Sequence, residues 1–137
     1  MTQPLQIKIL ILDDDKEYTD FAWKPITNNY FPPQSYNIIF MSDSEEALKK
    51  LNEEQFDLII SDTKMPKLDG YEFFNLVKDR YEKRFIGTSS RDDDEIRRNW
   101  LGLGVHYFLV KPEMFNDAQS NKCADFIKSV LEEIVIV

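Results

Sequence analysis

A single cysteine, Cys123, stands among 137 residues, so no internal disulfide can form and a reducing, cytoplasmic setting is the expectation. No apolar run approaches the ~20 residues that a membrane-spanning helix requires. The opening Met1-Thr2-Gln3-Pro4-Leu5-Gln6 places no basic flank ahead of an apolar stretch, so no leader is expected. The chain has only four glycines, and no Gly-rich phosphate loop follows the first apolar run, which argues against a nucleotide-binding protein. Positive charge is outnumbered: 17 Lys and Arg against 25 Asp and Glu leave a net −8, which opposes direct DNA binding.

The residues that are present describe one packed domain. The hydrophobic share is 42% and the charged share 31%, ordinary for a globular protein of a length that needs no cross-links. Ile7-Lys8-Ile9-Leu10-Ile11-Leu12 reads as a strand buried on both faces. A helix follows from about Lys16 to Asn29 with Tyr18, Phe21, Ala22 and Ile26 at helical spacing, and Pro25 is expected to kink or shorten it. Further strands are expected at Tyr36 to Met41, Asp57 to Ser61, Arg84 to Ser89 and Tyr107 to Val110. The helices between them begin near Ser42–Glu46, at Asp69-Gly70 and at Asp92-Asp93-Asp94-Glu95, where acids favour a helix start. A last helix is expected from about Gln119 to Ile134. Five strands alternating with five helices imply an α/β parallel sheet covered on both faces, a three-layer sandwich.

Chemistry gathers at the strand ends. Asp13 and Asp14 follow the first strand, Asp62 the third, Ser89 the fourth, and Lys111-Pro112 the fifth. In a parallel sheet, ligands bind outside the carboxyl ends of the strands, so these separated segments deliver three carboxylates, a hydroxyl and an ammonium to one pocket. Carboxylates crowded together repel one another unless a cation neutralises them, and an all-oxygen site suits Mg2+. Asp62 is the candidate nucleophile, since a carboxylate can accept a phosphoryl group as an acyl phosphate. A cis Lys111-Pro112 bond is one way to aim that lysine inward. Thr88 and Ser90 flank Ser89 and leave the hydroxyl's position open by one.

With these residues in hand, the chain resembles the receiver domains of two-component response regulators over nearly its whole length. The matching stretches are Ile-Leu-Ile-Leu-Asp13-Asp14-Asp15, Phe-Asp-Leu-Ile-Ile-Ser-Asp62-Thr-Lys-Met-Pro-Lys-Leu-Asp-Gly70, and Gly104-Val-His-Tyr-Phe-Leu-Val-Lys111-Pro112. The resemblance, not the spacing, implies a flavodoxin-like (βα)5 fold with strand order 2-1-3-4-5. It also implies that Asp62 is the phosphoacceptor and Asp14 a direct Mg2+ ligand, with Asp13 holding a metal-bound water and the Lys64 backbone carbonyl completing the protein's share. Ser89, favoured over Thr88 by counting back from Lys111, takes the switch hydroxyl. Lys111 takes the phosphoryl-pairing role, and Phe108 falls where an aromatic turns inward on activation.

The function so implied is phosphorelay signalling: a switch rather than an enzyme, assisting only its own phosphorylation and dephosphorylation. A histidine kinase or histidine phosphotransfer protein would supply the phosphoryl group, because His106 precedes a strand and is badly placed as an internal donor. Lys64 and Arg91, each two residues beyond a site residue, are candidates to shield the phosphoryl group from water. Because Glu132-Glu133-Ile134-Val135-Ile136-Val137 leaves no room for an output domain, residues 1–137 are expected to form a stand-alone receiver. Such a receiver acts through a downstream protein target, with homodimerisation on activation possible through a face near Trp100 and Leu101. The stretches Trp23 to Ser35 and Glu113 to Asn121 are longer than the family's pattern and put its standard partner surface in doubt. The alternative is a receiver-like interaction module that signals without phosphorylation. A phosphatase of the haloacid-dehalogenase kind is disfavoured, because Lys64 stands where its second acid would be.

Overall fold

The computed structural model describes residues 5–134. Residues 1–4 and 135–137, on which parts of the leader and output-domain expectations fall, lie outside the described residues. Five strands, β1 (Ile7–Leu12), β2 (Tyr36–Met41), β3 (Leu58–Asp62), β4 (Phe85–Ser89) and β5 (Tyr107–Val110), form one parallel sheet of order β2-β1-β3-β4-β5. The helices between them are α1 (Lys16–Tyr18, Thr19–Trp23 and Lys24–Tyr30 in unbroken succession), α2 (Ser44–Glu53), α3 (Gly70–Tyr81), α4 (Asp94–Leu103) and α5 (Asp117–Ile134).

Successive residues of a strand point to opposite faces, and the two cores follow that alternation. Ile9, Ile11, Leu58, Ile60 and Ile86 face α1 and α5, meeting Trp23, Ile26, Ala124 and Ile127. Leu10, Leu12, Ile59 and Phe85 face α2, α3 and α4, meeting Leu51, Phe73, Phe74 and Trp100. Trp100 lies flat on the sheet because Gly87 beneath it has no side chain; a Cβ there would stand 2.5 Å from the indole. Trp100 is therefore core, while its neighbour Leu101 is 51% exposed.

Capping fixes where the helices start. Asp15, Asp43, Asp69 and Asp93 each accept main-chain N–H bonds at a helix N-terminus, and Asp69 completes a reciprocal capping box with Glu72. Asp92 falls outside the helix that its acidic run predicts and pairs with Arg97 at 2.8 Å.

Three expectations need correction. Pro25 does not shorten α1, which continues to Tyr30; just before it Thr19–Trp23 is a π-helical turn, in which the Lys24 N–H reaches Thr19 O. The last helix begins at Asp117 rather than near Gln119, because Asn116 caps it by accepting from the Gln119 N–H. Among the described residues no peptide bond is cis, so Lys111 enters the site from the end of β5 over a trans Lys111–Pro112 bond.

Candidate functional site

Because the strands are parallel, the residues ending β1, β3, β4 and β5 emerge at one edge of the sheet. Asp13 is 2% exposed, and both its oxygens are engaged. Oδ1 accepts from the Asp15 N–H at 3.0 Å, while Oδ2 accepts from Lys111 Nζ at 2.9 Å and from the Trp23 indole N–H at 3.1 Å. Asp14 is exposed at the rim. Asp62, the last residue of β3, accepts from the Thr63 N–H at 2.9 Å on Oδ1 and lies 3.4 Å from Lys111 Nζ on Oδ2.

Lys111 thus bridges two carboxylates from inside the fold, its side chain only 5% exposed. The Tyr18 ring covers it, with Nζ 4.3 Å from the centroid, and the Tyr18 hydroxyl donates to the Pro112 carbonyl. One oxygen from each of Asp13, Asp14 and Asp62 lies within 4.8 Å of the others. One lysine against three carboxylates leaves the cluster under electrostatic strain. Burial raises the Asp62 pKa to about 6 and the Asp13 charge adds to that, with Lys111 pulling the other way. Burial also raises the Asp14 pKa, again reinforced by Asp13.

A cavity of about 230 Å³ opens over Asp62 and is lined by Thr63, Lys64, Ser89, Ser90, Arg91 and Ile96. Ser89 and Thr88 separate here. The Thr88 hydroxyl is tied to the Ser61 carbonyl at 3.1 Å, inside the sheet. Ser89 lines the cavity, its Oγ accepting from the Arg91 N–H at 3.2 Å. The Lys64 and Arg91 side chains are exposed at the same cavity, and Arg91 lies 3.6 Å from Asp93. Phe108 is half-buried beside Gly87 in the β4–β5 register, with the Arg97 guanidinium 4.9 Å over its ring. His106 stands at the other end of the sheet, 3.9 Å from Glu82.

Three residues of this neighbourhood are not assigned to the site by the sequence: Trp23, Thr63 and Tyr18, the last read only as part of the helix's apolar stripe. Thr63 Oγ1 donates to the Thr88 carbonyl at 2.6 Å and accepts from the Trp100 indole N–H at 2.9 Å, joining the residue after Asp62 to α4. The available signal for Trp23 was its place at the start of the aromatic-rich stretch that departs from the family pattern.

The response regulator receiver domain family model matches residues 9–120. The chain belongs to this family. The receiver is 30% identical over 112 residues to the transcriptional regulatory protein CpxR of Escherichia coli (strain K12), an alignment covering 82% of this chain and 45% of CpxR. The chain spans under half the length of the curated relatives it matches first, 41–45% of each. Among solved structures, the receiver resembles the chemotaxis response regulator CheY4 of Vibrio cholerae at a TM-score of 0.73 and 26% identity, over 93% of this chain and 100% of that one. A CheY-like receiver domain protein from Methanospirillum hungatei JF-1 superposes at a TM-score of 0.75 with 26% identity, over 94% and 96% of the two chains. The sheet order and the flavodoxin-like class follow from the strands themselves and agree with these neighbours. The receiver is accordingly a phosphorelay signalling domain, of a family that works as a switch rather than as a classical enzyme.

Proposed function

We propose that Asp62 is the phosphoacceptor of this receiver, taking its phosphoryl group from a histidine kinase or a histidine phosphotransfer protein. The observation that carries the reading is the position of Asp62. It ends β3 at the floor of a cavity that Ser89 lines, its Oδ2 lies 3.4 Å from buried Lys111, and its oxygen is within 4.8 Å of those of Asp13 and Asp14. An Asp62 oxygen bonds to phosphorus as the N–P bond of the donor phosphohistidine breaks, and the imidazole departs with its electron pair. Lys111 offsets charge on the arriving oxygens, and the Ser89 hydroxyl donates to one of them.

The donor set fits Mg2+: anionic oxygens and no nitrogen or sulfur ligand, on carboxylates whose burial, reinforced by the Asp13 charge, already raises the Asp62 and Asp14 pKa values. Asp14 and Asp62 would hold the ion directly with the Lys64 carbonyl. Asp13, whose oxygens already accept three hydrogen bonds, would act through a bound water. When bound, the ion neutralises the cluster and the charge developing on the phosphoryl oxygens.

Phosphorylation adds roughly −1.5 to −2 charge and three acceptor oxygens beside Ser89. Drawing Ser89 toward them moves the β4–α4 loop, and Phe108, one strand away, follows to present a changed surface to a downstream protein target or to a second copy. Lys64 and Arg91, on the rim of the same cavity, shield the acyl phosphate from water. Among the described residues no helix is long and apolar enough to cross a membrane.

The test is intact mass after incubation with Mg2+ and acetyl phosphate. Wild type gains one phosphoryl group and Asp62→Ala gains none. In the same assay, Lys64→Ala and Arg91→Ala lose the group faster than wild type, and unchanged rates would remove the shielding role. An unlabelled wild type, with beryllofluoride leaving Trp emission unmoved, would favour a phosphorylation-independent interaction module.

A further inference from the structure

Tyr18 and Trp23 both face the carboxylate cluster, which an α-helix would not allow. At 3.6 residues per turn, side chains five apart point roughly 140° away from each other. The π-helical turn Thr19–Trp23 widens the helix to an i→i+5 bond from the Lys24 N–H to Thr19 O, and so turns both rings to one face. They meet edge to face with centroids 5.8 Å apart at 81°. Tyr18 covers Lys111, and Trp23, 1% exposed, donates to Asp13 Oδ2 at 3.1 Å.

That same oxygen is the one Lys111 holds, at 2.9 Å. Two donors on one carboxylate oxygen differ in what they can do next. Lys111 is a flexible cation already 3.4 Å from Asp62. The indole N–H is uncharged, has one donor and is fixed by packing, so it cannot follow an anion. If Lys111 turned toward a group on Asp62 with nothing else on Oδ2, a buried carboxylate oxygen would lose its partner, which opposes the movement.

We propose that Trp23 is a positioning residue for phosphoryl transfer: from its π-helical turn the indole N–H keeps Asp13 Oδ2 hydrogen-bonded, which releases Lys111 toward the group arriving on Asp62. The inference rests on Asp62 as phosphoacceptor. It makes Trp23 part of how the site works rather than a core residue that happens to touch it.

The cleanest test removes only the N–H, by placing 3-benzothienylalanine at position 23, with Trp23→Phe as a second variant. Acetyl phosphate labelling at saturating Mg2+ is followed by intact mass. The rate ceiling falls about tenfold, as expected for loss of one buried hydrogen bond in the reacting state, while acetyl phosphate half-saturation stays within about twofold. A purely structural Trp23 would leave the ceiling unmoved in the isosteric variant. Unsubstituted protein supplies an independent reading by NMR. On addition of Mg2+ and beryllofluoride, the Trp23 indole N–H resonance moves downfield and stays protected from exchange as it takes over Oδ2. An unmoved resonance, with signals of the Asp62 loop reporting binding, would overturn the proposal even if neither variant folds. A wild type that takes no label would overturn the Asp62 reading instead. A labelled wild type matched by its isosteric variant would overturn the role of Trp23 alone.

Discussion

Trp23 and Trp100 lie on opposite faces of the sheet, both essentially fully buried, and each aims its indole N–H at the carboxyl ends of the strands. Trp23 reaches Asp13, a charged member of the carboxylate cluster; Trp100 reaches Thr63, a neutral residue beside Asp62. The supports beneath them also differ. Trp23 is held by a distorted helix, whereas Trp100 is held by a gap in the sheet at Gly87 and by the bare backbone of Gly70, where a Cβ would stand 2.9 Å from the same ring. One face therefore ties the site to its charges, and the other ties the site to α4, where a signal would leave. The Trp100–Thr63–Thr88 chain of hydrogen bonds joins the residue after Asp62 and the end of β4 to α4, a side-chain link beside the β4–α4 loop itself.

The largest effect should come from breaking the α4 side. Trp100→Ala removes a fully buried ring and is expected to cost about 3–5 kcal/mol, seen as a lower urea midpoint with m unchanged. The fit against Gly87 gives this prediction a sharper form. Gly87→Ala in the wild type overpacks against the indole and costs about 1–3 kcal/mol, while in the Trp100→Ala background the added methyl partly fills the cavity and restores stability. Equal costs in both backgrounds would show that Gly87 is not there for Trp100.

The site between the two tryptophans carries the next effect. Burial raises the folded-state pKa of Asp62 to about 6, above the usual carboxylate range. A raised carboxylate pKa means the native state binds the proton more tightly. The stabilisation is complete below about pH 4, and it is lost as pH rises through 6. Asp62→Asn should therefore be the more stable protein at pH 7.5 without divalent cations, by on the order of 2 kcal/mol, and that advantage should vanish toward pH 4. Adding Mg2+ at pH 7.5 should narrow the gap by stabilising the wild type. Thermal melts at the two pH values decide it, and a gap that does not change with pH would mean that Asp62 is relaxed in the folded state.

Much of this was legible because strand ends in a parallel sheet are predictable places. The alternation of apolar runs marked all five strands, and Asp13, Asp14, Asp62, Ser89 and Lys111 all meet at one edge. Counting back from Lys111 favoured Ser89 over Thr88, but the physical ground, that Thr88 spends its hydroxyl on Ser61, depends on which hydroxyl the sheet consumes and is not visible in spacing. Trp23 was hidden for a different reason. The helical stripe Tyr18, Phe21, Ala22 and Ile26 assumes 3.6 residues per turn, and the π-helical turn breaks that period at the residue that reaches Asp13. Thr63 gave no signal, because its partner Trp100 lies 37 residues away.

The finest comparison of the two anchors is spectroscopic, since these are the only two tryptophans in the chain. Each Trp→Phe change deletes one indole N–H and is expected to cost about 1 kcal/mol, so stability alone will not separate them. Their response to Mg2+ should. Trp100→Phe leaves Trp23 as the sole reporter, bonded to a carboxylate whose charge the ion neutralises, and its emission should change along the Mg2+ titration. Trp23→Phe leaves Trp100, bonded to a hydroxyl across a neutral threonine, and its emission should change less. Equal responses would mean that the ion's effect spreads through β3 to both faces alike, and the division of labour between the two tryptophans would fall.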